Sequence, residues 1–382
     1  MRTSRWIIFA FFYCFSSSHA FGHDQNSSSN LPLGLPNTAS IKGLNSNLVA
    51  LGKRIFFDNS LSADKQVSCA GCHDPSHAFA DPNPLSRGAF GQKGERHAPS
   101  ILNSAFNTSQ FWDGRSDSLE DQGLQPFTTS KEYGLRDVDE LLQRLKASDG
   151  YQRLFRNAFP EKKRGEITAS GVSKSISAFE RTLLSGNSKF DRYTYGNESD
   201  ALTASQMHGL GIFKGLGKCS GCHLIESNHA LFTDGKFHNS SIGMERLAER
   251  LPAAVEAVLA AHARDEAAIG KLVLSSSDIA ALGRFVVTND PKDIGQFKTP
   301  SLRNVAITGP YMHDGSVSTL EEAVDLETYQ RTDASGRPII LTPVERLELL
   351  DFLTTLTGSD TAALRHNIAA ARSATTSLRR PY

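Results

Sequence analysis

The sequence predicts a mostly α-helical protein built from one unit used twice. Three observations carry that expectation. A Cys-x-x-Cys-His pentapeptide occurs twice, each copy is followed by the same series of short motifs, and the segments between them place apolar residues at helical spacing. The chain has 382 residues, with 41 Lys+Arg against 41 Asp+Glu. That length accommodates two or three domains, and the zero net charge excludes a protein that binds nucleic acid through a general basic field. With 39% apolar residues and no apolar run near membrane-helix length outside the N-terminus, disordered and multi-span membrane classes are excluded as well.

Residues 1–20 read as a secretory signal peptide: Arg2 and Arg5, an apolar stretch from Trp6 to Phe15, and Ser18-His19-Ala20 as cleavage site. Cleavage removes two arginines, no acid and Cys14, leaving a net charge of −2 and four cysteines. A periplasmic protein with no membrane span after cleavage is expected. Residues 21–44, rich in Ser, Asn, Pro and Gly, are expected to form a flexible lead-in. The first unit is expected over 45–200 and the second over 201–360. A tail over 361–382, locally basic through Arg372, Arg379 and Arg380, is expected to be disordered.

In an exported protein four cysteines would ordinarily form two disulfides. These four fall as Cys69-Ala70-Gly71-Cys72-His73 and Cys219-Ser220-Gly221-Cys222-His223. The pattern is that of haem c attachment, in which two thiols bond the porphyrin vinyl groups and the next histidine gives a ring nitrogen to the iron. Paired zinc-binding cysteines would not call for a histidine directly after each pair. The expected fold is therefore two duplicated cytochrome c-like domains, each with one covalent haem c.

The repeat extends beyond these motifs. Leu51-Gly52 and Ile55-Phe56 precede the first, as Leu210-Gly211-Ile212-Phe213 precede the second. Pro99-Ser100-Ile101-Leu102-Asn103, Asp113-Gly114 and Leu119-Glu120 follow the first; Pro300-Ser301-Leu302-Arg303-Asn304, Asp314-Gly315 and Leu320-Glu321 follow the second. Helices are signalled by Val138, Leu141, Leu142 and Leu145 after a capping Asp137, and by Val172, Ile176, Phe179 and Leu183. The last helix has Thr342 as cap, Pro343 at its first position, Glu345 completing a capping box and Gly358 as its stop. The second copy is longer, with 95 residues from Cys219 to Asp314 against 44 from Cys69 to Asp113. The difference makes room for an inserted helical segment around residues 245–288, to which the sequence assigns no function.

Together these residues resemble the bacterial diheme cytochrome c peroxidase and MauG superfamily over about residues 45–358. The resemblance rests on the two Cys-x-x-Cys-His motifs, Phe111-Trp112-Asp113-Gly114-Arg115, Gln122 with Pro126 and Glu132 downstream, Lys298-Thr299-Pro300-Ser301-Leu302-Arg303-Asn304, and Pro310-Tyr311-Met312-His313-Asp314-Gly315. It implies that the N-terminal haem, ligated by His73, reacts with hydrogen peroxide, and that the C-terminal one, ligated by His223, transfers electrons. Glu132 takes the place of the family's acid/base glutamate. Splitting a bound peroxide needs a carboxyl group that accepts a proton from the near oxygen and returns it to the leaving one. The resemblance further implies that Gln122 orients Glu132 or the peroxide, that Pro126 packs over the open iron face, and that Trp112 carries an electron hole between the haems. A calcium ion between the haems is an open expectation, because His97 stands where many relatives have Asn.

Two departures bear on the branch. Ordinary diheme peroxidases carry a displaceable His in a Gly-His-x-x-x-Lys-Gly loop; here the loop is Gly88-Ala89-Phe90-Gly91-Gln92-Lys93-Gly94. Alanine cannot ligate iron, so the first haem is expected to be open without prior reduction, and His77 and His97 nearby are expected to pack or hydrogen-bond. The peroxidases' distal Met is missing after Leu320-Glu321. Tyr329, followed by Gln330-Arg331, resembles the Tyr-x-Arg stretch of MauG-like members at an offset of two residues and is the expected ligand of the second iron. Glu327 and Met312 are the alternatives. A phenolate favours higher iron oxidation states than a thioether does.

The stretches Glu322 to Glu327, Arg337 to Pro343 and Phe297 to Pro300 are most similar to the MbnH-type branch, associated with methanobactin gene clusters. The resemblance implies a high-valent diheme state, formed with hydrogen peroxide, that oxidises a side chain of a partner protein, a Trp in that branch. One rival is a diheme cytochrome c peroxidase supplied with electrons by a small cytochrome c or cupredoxin. Another is a diheme electron carrier with both irons closed.

Overall fold

Residues 31–161, 166–240, 242–264, 269–332 and 336–361 are described by a computed structural model. The expected signal peptide and all but the first residue of the expected tail lie outside them. Among the described residues the architecture is mostly helical, with one small sheet.

Helices begin where a side-chain oxygen can accept from the first free amides. Asn45 starts Ser46–Phe56, Asp137 starts Val138–Lys146 and Thr168 starts Ala169–Glu180. Thr203 and Thr342 start Ala204–Lys214 and Pro343–Thr354 with capping boxes to Gln206 and Glu345. The last of these helices ends at Thr354, before the Gly358 expected as its stop. Gly358 serves close packing instead, since a Cβ there would lie 2.3 Å from Ser185 Oγ and 2.7 Å from the Gly186 carbonyl oxygen.

Two helix pairs organise the main cores. Gly52 of Ser46–Phe56 lies against Ala169–Glu180 so closely that a Cβ would sit 1.8 Å from the Ser175 carbonyl oxygen. Gly209 of Ala204–Lys214 lies in the same way on the Glu348 carbonyl of Pro343–Thr354, at 2.0 Å. Packing therefore matches Gly52 with Gly209, whereas Gly211, its neighbour in the sequence pairing, faces open space. Leu51, Ile55, Phe127, Leu141, Phe155 and Ile176 fill the first core. Phe190, Phe213, Phe232, Leu349 and Phe352 fill the second. Phe190 stands before the expected boundary at residue 200, yet its ring packs with the second core. The insertion has a core of its own, from Leu247, Val258, Val273, Phe285 and Val286.

The duplication is also written in the backbone. Asn103 and Asn304, Phe111 and Met312, and Gly114 and Gly315 all adopt left-handed φ, and the bridges Gln110–Ser116 and Tyr311–Val317 close equivalent turns. Phe237–Asn239 pairs antiparallel with Gln296–Lys298, Phe237 opposite Lys298.

The flexible lead-in expected over 21–44 is corrected at residues 33–35. Leu33 exchanges hydrogen bonds with Asn187, the Gly34 carbonyl accepts from Ala230 and Arg303, and Leu35 is buried. The cause is Arg303, whose buried guanidinium pairs with Asp191 at 2.9 Å and takes the Gly34 carbonyl as a further acceptor.

Candidate active site

Cys69–Cys72 form a single helical turn, closed by the His73 amide on the Cys69 carbonyl at 2.8 Å. Cys219–Gly221 make the equivalent turn, closed by the His223 amide on the Cys219 carbonyl at 2.9 Å. The four thiols are unpaired, and together with His73 and His223 they line one cavity of about 460 Å³. Each imidazole is oriented through Nδ1. His73 meets the Phe79 and Pro99 carbonyls at 3.2 and 3.1 Å, and His223 meets that of Phe232 at 2.8 Å. A proton on Nδ1 leaves Nε2 with its lone pair, and burial lowers both pKa values, which keeps the rings neutral. Unbridged thiol pairs, a ligand-ready imidazole after each and one void reaching past both make a donor set that fits two haem c groups.

Gln122, Pro126, Glu132 and Trp112 line the same cavity. After the short turn Gln125–Thr128 the chain doubles back, with the Tyr133 and Leu135 amides on the Pro126 and Phe127 carbonyls at 3.1 and 3.0 Å. This brings Glu132 beside Pro126. Burial raises the Glu132 carboxyl above its ordinary range, opposed in part by the Arg115 charge and a hydrogen bond with Thr129. Arg115 lies over the Phe111 ring at 3.4 Å, pairs with buried Asp113 at 3.0 Å and leaves its Nε without a partner. Ala89 is fully buried, outside the cavity lining, and its amide donates to the Glu132 carbonyl at 2.7 Å. The Gly88–Gly94 loop thus braces Glu132. His77 Nε2 meets the Gly309 carbonyl at 2.5 Å, and His97 Nδ1 lies 3.2 Å from the carbonyls of Asn83 and Pro84.

Trp112 touches both halves of the chain. Its indole donates to the His97 carbonyl at 2.9 Å, and its own carbonyl accepts from the Lys298 amide at 2.8 Å.

Helix Leu320–Gln330 presents Leu320, Ala323, Val324, Glu327 and Thr328 to the cavity, a face that Arg331 continues. Glu327 pairs with Arg331 at 2.9 Å. Tyr329, expected as an iron ligand, lies off this face. Two residues past Glu327 is roughly 200° around the helix, and Tyr329 is 74% exposed, outside the cavity lining. Both alternatives, Glu327 and Met312, line the cavity.

Sequence reasoning missed Glu180, a buried carboxylic acid of the cavity wall whose pKa burial pushes up to about 8. The available signal was a lone acid four residues after Ile176 on the apolar stripe of its helix. Lys298 is also in the wall, half-buried, its pKa lowered by desolvation to about 8, and its Nζ donates to the Ser109 carbonyl. Among the described residues the one trio of potential metal ligands, Cys222, Asp234 and His238, shares its cysteine with the second haem motif.

A family profile described as di-haem cytochrome c peroxidase matches residues 46–199. Over a longer span the chain is 36% identical to the methylamine utilization protein MauG of Methylorubrum extorquens, across 82% of this chain and 79% of that one. The chain belongs to the di-haem cytochrome c peroxidase and MauG family. This diheme family member is thus a peroxide-dependent oxidoreductase, of a family that uses two haem c cofactors. It is comparably similar to a cytochrome-c peroxidase of Denitromonas iodatirespirans, at 33% identity over 83% of each chain. Among solved structures, a MauG-like protein associated with microbial copper homeostasis matches with a TM-score of 0.67 and 30% identity, over 90% of this chain and 97% of that one.

Proposed function

We propose that this diheme enzyme is MauG-like: hydrogen peroxide enters on the His73 side of the cavity, and a side chain of a partner protein, a Trp in the branch it most resembles, supplies the electrons. The observation that carries the reading is the single cavity that joins Cys69, Cys72, His73 and Glu132 to Cys219, Cys222 and His223, with Trp112 on its wall. When bound, the two covalent haems supply the redox chemistry between oxidant and partner. In balance, hydrogen peroxide takes up two electrons and two protons and leaves as two waters, while the partner side chain gives up two electrons and two protons.

The protein's own groups divide the remaining work. Glu132 accepts a proton from the near peroxide oxygen and returns it to the leaving one, and its raised pKa suits that exchange better than an ordinary carboxylate. Gln122 orients the oxidant. Pro126 offers neither donor nor ligand and so keeps the iron face open. Buried Ala89 supports a site that is ready without prior reduction. Trp112, held at the junction of the halves, is the relay. His73 and His223 ligate the irons, and helical phase favours Glu327 over Tyr329 as the second ligand at the His223 haem. We assign the first haem to a unit over 45–200 and the second to 201–360, with the helix Lys189–Tyr195 joining the second through Phe190.

The N-terminal signal supports a periplasmic location, and among the described residues no helix is long and apolar enough to cross a membrane. The calcium ion implied between the haems belongs to the same proposal, and metal analysis of the purified protein decides it.

The deciding experiment is low-temperature EPR and Mössbauer spectroscopy of the ferric protein before and after one equivalent of peroxide, with no reductant. The expected result is one high-spin and one low-spin haem at the start, both signals lost on adding peroxide. Two low-spin haems, or no response until the protein is half-reduced, would overturn it in favour of a reductively activated peroxidase fed by a small redox protein.

A further inference from the structure

The insertion of the second half reaches the first haem site. Its described stretch from Ile269 to Arg284 is fastened to the N-terminal half at three places, each a cation of one side on a carbonyl of the other. Lys131 Nζ donates to the Ser275 carbonyl at 3.4 Å, and Arg96 donates to that of Ala280 at 2.8 Å. Arg284 reaches back to the carbonyls of Asp113 and Gly114 at 2.8 and 2.9 Å. Gly270 approaches so closely that a Cβ would lie 3.3 Å from Gln125 Oε1. Lys131 adjoins Glu132 and Gln125 adjoins Pro126, so the stretch lies along the wall of the cavity that holds these two residues.

One side chain of the stretch lines the cavity itself. Leu274 belongs to the insertion's core, is 9% exposed and contributes to the lining. We propose that Ile269–Arg284 is a wall of the peroxide pocket and that Leu274 sets the size of oxidant admitted, favouring hydrogen peroxide over alkyl hydroperoxides. The inference rests on the reading that peroxide reacts beside Glu132. A leucine there forms no hydrogen bond to the oxidant and fills volume that an alkyl substituent would need. The fastenings that begin at the next residue, Ser275, and the close packing of Gly270 on Gln125 before it keep it from yielding cheaply, because a packed interior transmits strain rather than absorbing it.

The test uses the ferric diheme protein as wild type, Leu274→Ala, Leu274→Val and Glu132→Gln. Optical titration compares the Kd for cyanide, a small iron ligand, with that for 4-phenylimidazole, a bulky one. Turnover compares hydrogen peroxide with tert-butyl hydroperoxide. Leu274→Ala is expected to shift both ratios toward the bulky reagent by about tenfold, and Leu274→Val by less. The inference is overturned if variants with wild-type circular dichroism keep both ratios within about twofold of wild type. Glu132→Gln separates the two layers of the argument. If it leaves peroxide consumption unchanged, the site reading fails; if it slows consumption while the Leu274 ratios stay put, only the wall inference fails.

Discussion

Trp112 donates its indole N–H to the His97 carbonyl at 2.9 Å, and the His97 amide donates to the His313 carbonyl at the same distance. His313 is the counterpart of Trp112 in the repeat, so one duplicated position is joined to its copy through His97. The two copies differ in chemistry. The indole is oxidisable, whereas His313 stacks on Phe297 at 3.7 Å and burial holds its pKa well below the ordinary imidazole value, which favours a neutral, packed ring.

Trp112→Phe keeps the ring volume and removes the easily oxidised indole. After one equivalent of peroxide, freeze-quench EPR is expected to show the first haem's signal lost at the wild-type rate and the second's lost at least about tenfold more slowly. Equal decay of both signals would remove Trp112 from the route.

Glu132→Gln is expected to lower peroxide turnover by about 10²- to 10⁴-fold, the usual contribution of a positioned acid/base. Its base form starts the reaction and its carboxyl is raised by burial. Wild-type kcat/KM should therefore climb with pH through that raised value and fall below it, while the variant gives a flat profile.

Tyr329→Phe is expected to leave the absorption and EPR signals of the second haem unaltered, because the ring lies in solvent. Glu327→Gln should perturb them, and Met312→Leu serves as the competing assignment. A change on Tyr329→Phe alone would restore the tyrosine.

Glu180 carries a pH signature. Its pKa of about 8 in the fold, against 4.5 as the ordinary value, means the folded protein keeps a proton that the unfolded chain has released. The contribution to stability is full below about pH 4.5 and is lost as pH rises toward 8. Thermal unfolding across that range should show the wild-type Tm falling and Glu180→Gln flatter and higher at the alkaline end.

Gly209→Ala places a Cβ on the Glu348 carbonyl and is expected to cost about 1–3 kcal/mol in urea unfolding. Gly211→Ala, two residues on, meets open space and should gain up to about 1 kcal/mol from helix propensity. The opposite order would return the repeat alignment to Gly211.

Much of the molecule was legible in advance because its rules are local. A helix cap such as Asp137 or Thr342 is satisfied within four residues, and two cysteines on one turn with a histidine behind them state their chemistry in five. The structure departs from the local reading where distance in sequence separates the partners. Tyr329 was matched to the motif with an offset, and a shift of two residues on a helix turns a side chain to the other face, here away from the cavity. The residues after Pro32 looked like a linker by composition, yet Arg303, far along the chain, fixes Gly34.

By itself the sequence determined the duplication, the haem-binding motifs, the helical class and the acid, amide and indole placed along the first half. Tertiary structure alone decided that these line one cavity, that Glu327 rather than Tyr329 faces it, that Glu180 belongs to its wall, and that a segment of the second half is hydrogen-bonded to the first half beside it. The physical reason is that backbone hydrogen bonding and attachment chemistry act between neighbours in the chain, while burial, helical phase against a partner and close approach depend on packing between segments that no local pattern relates.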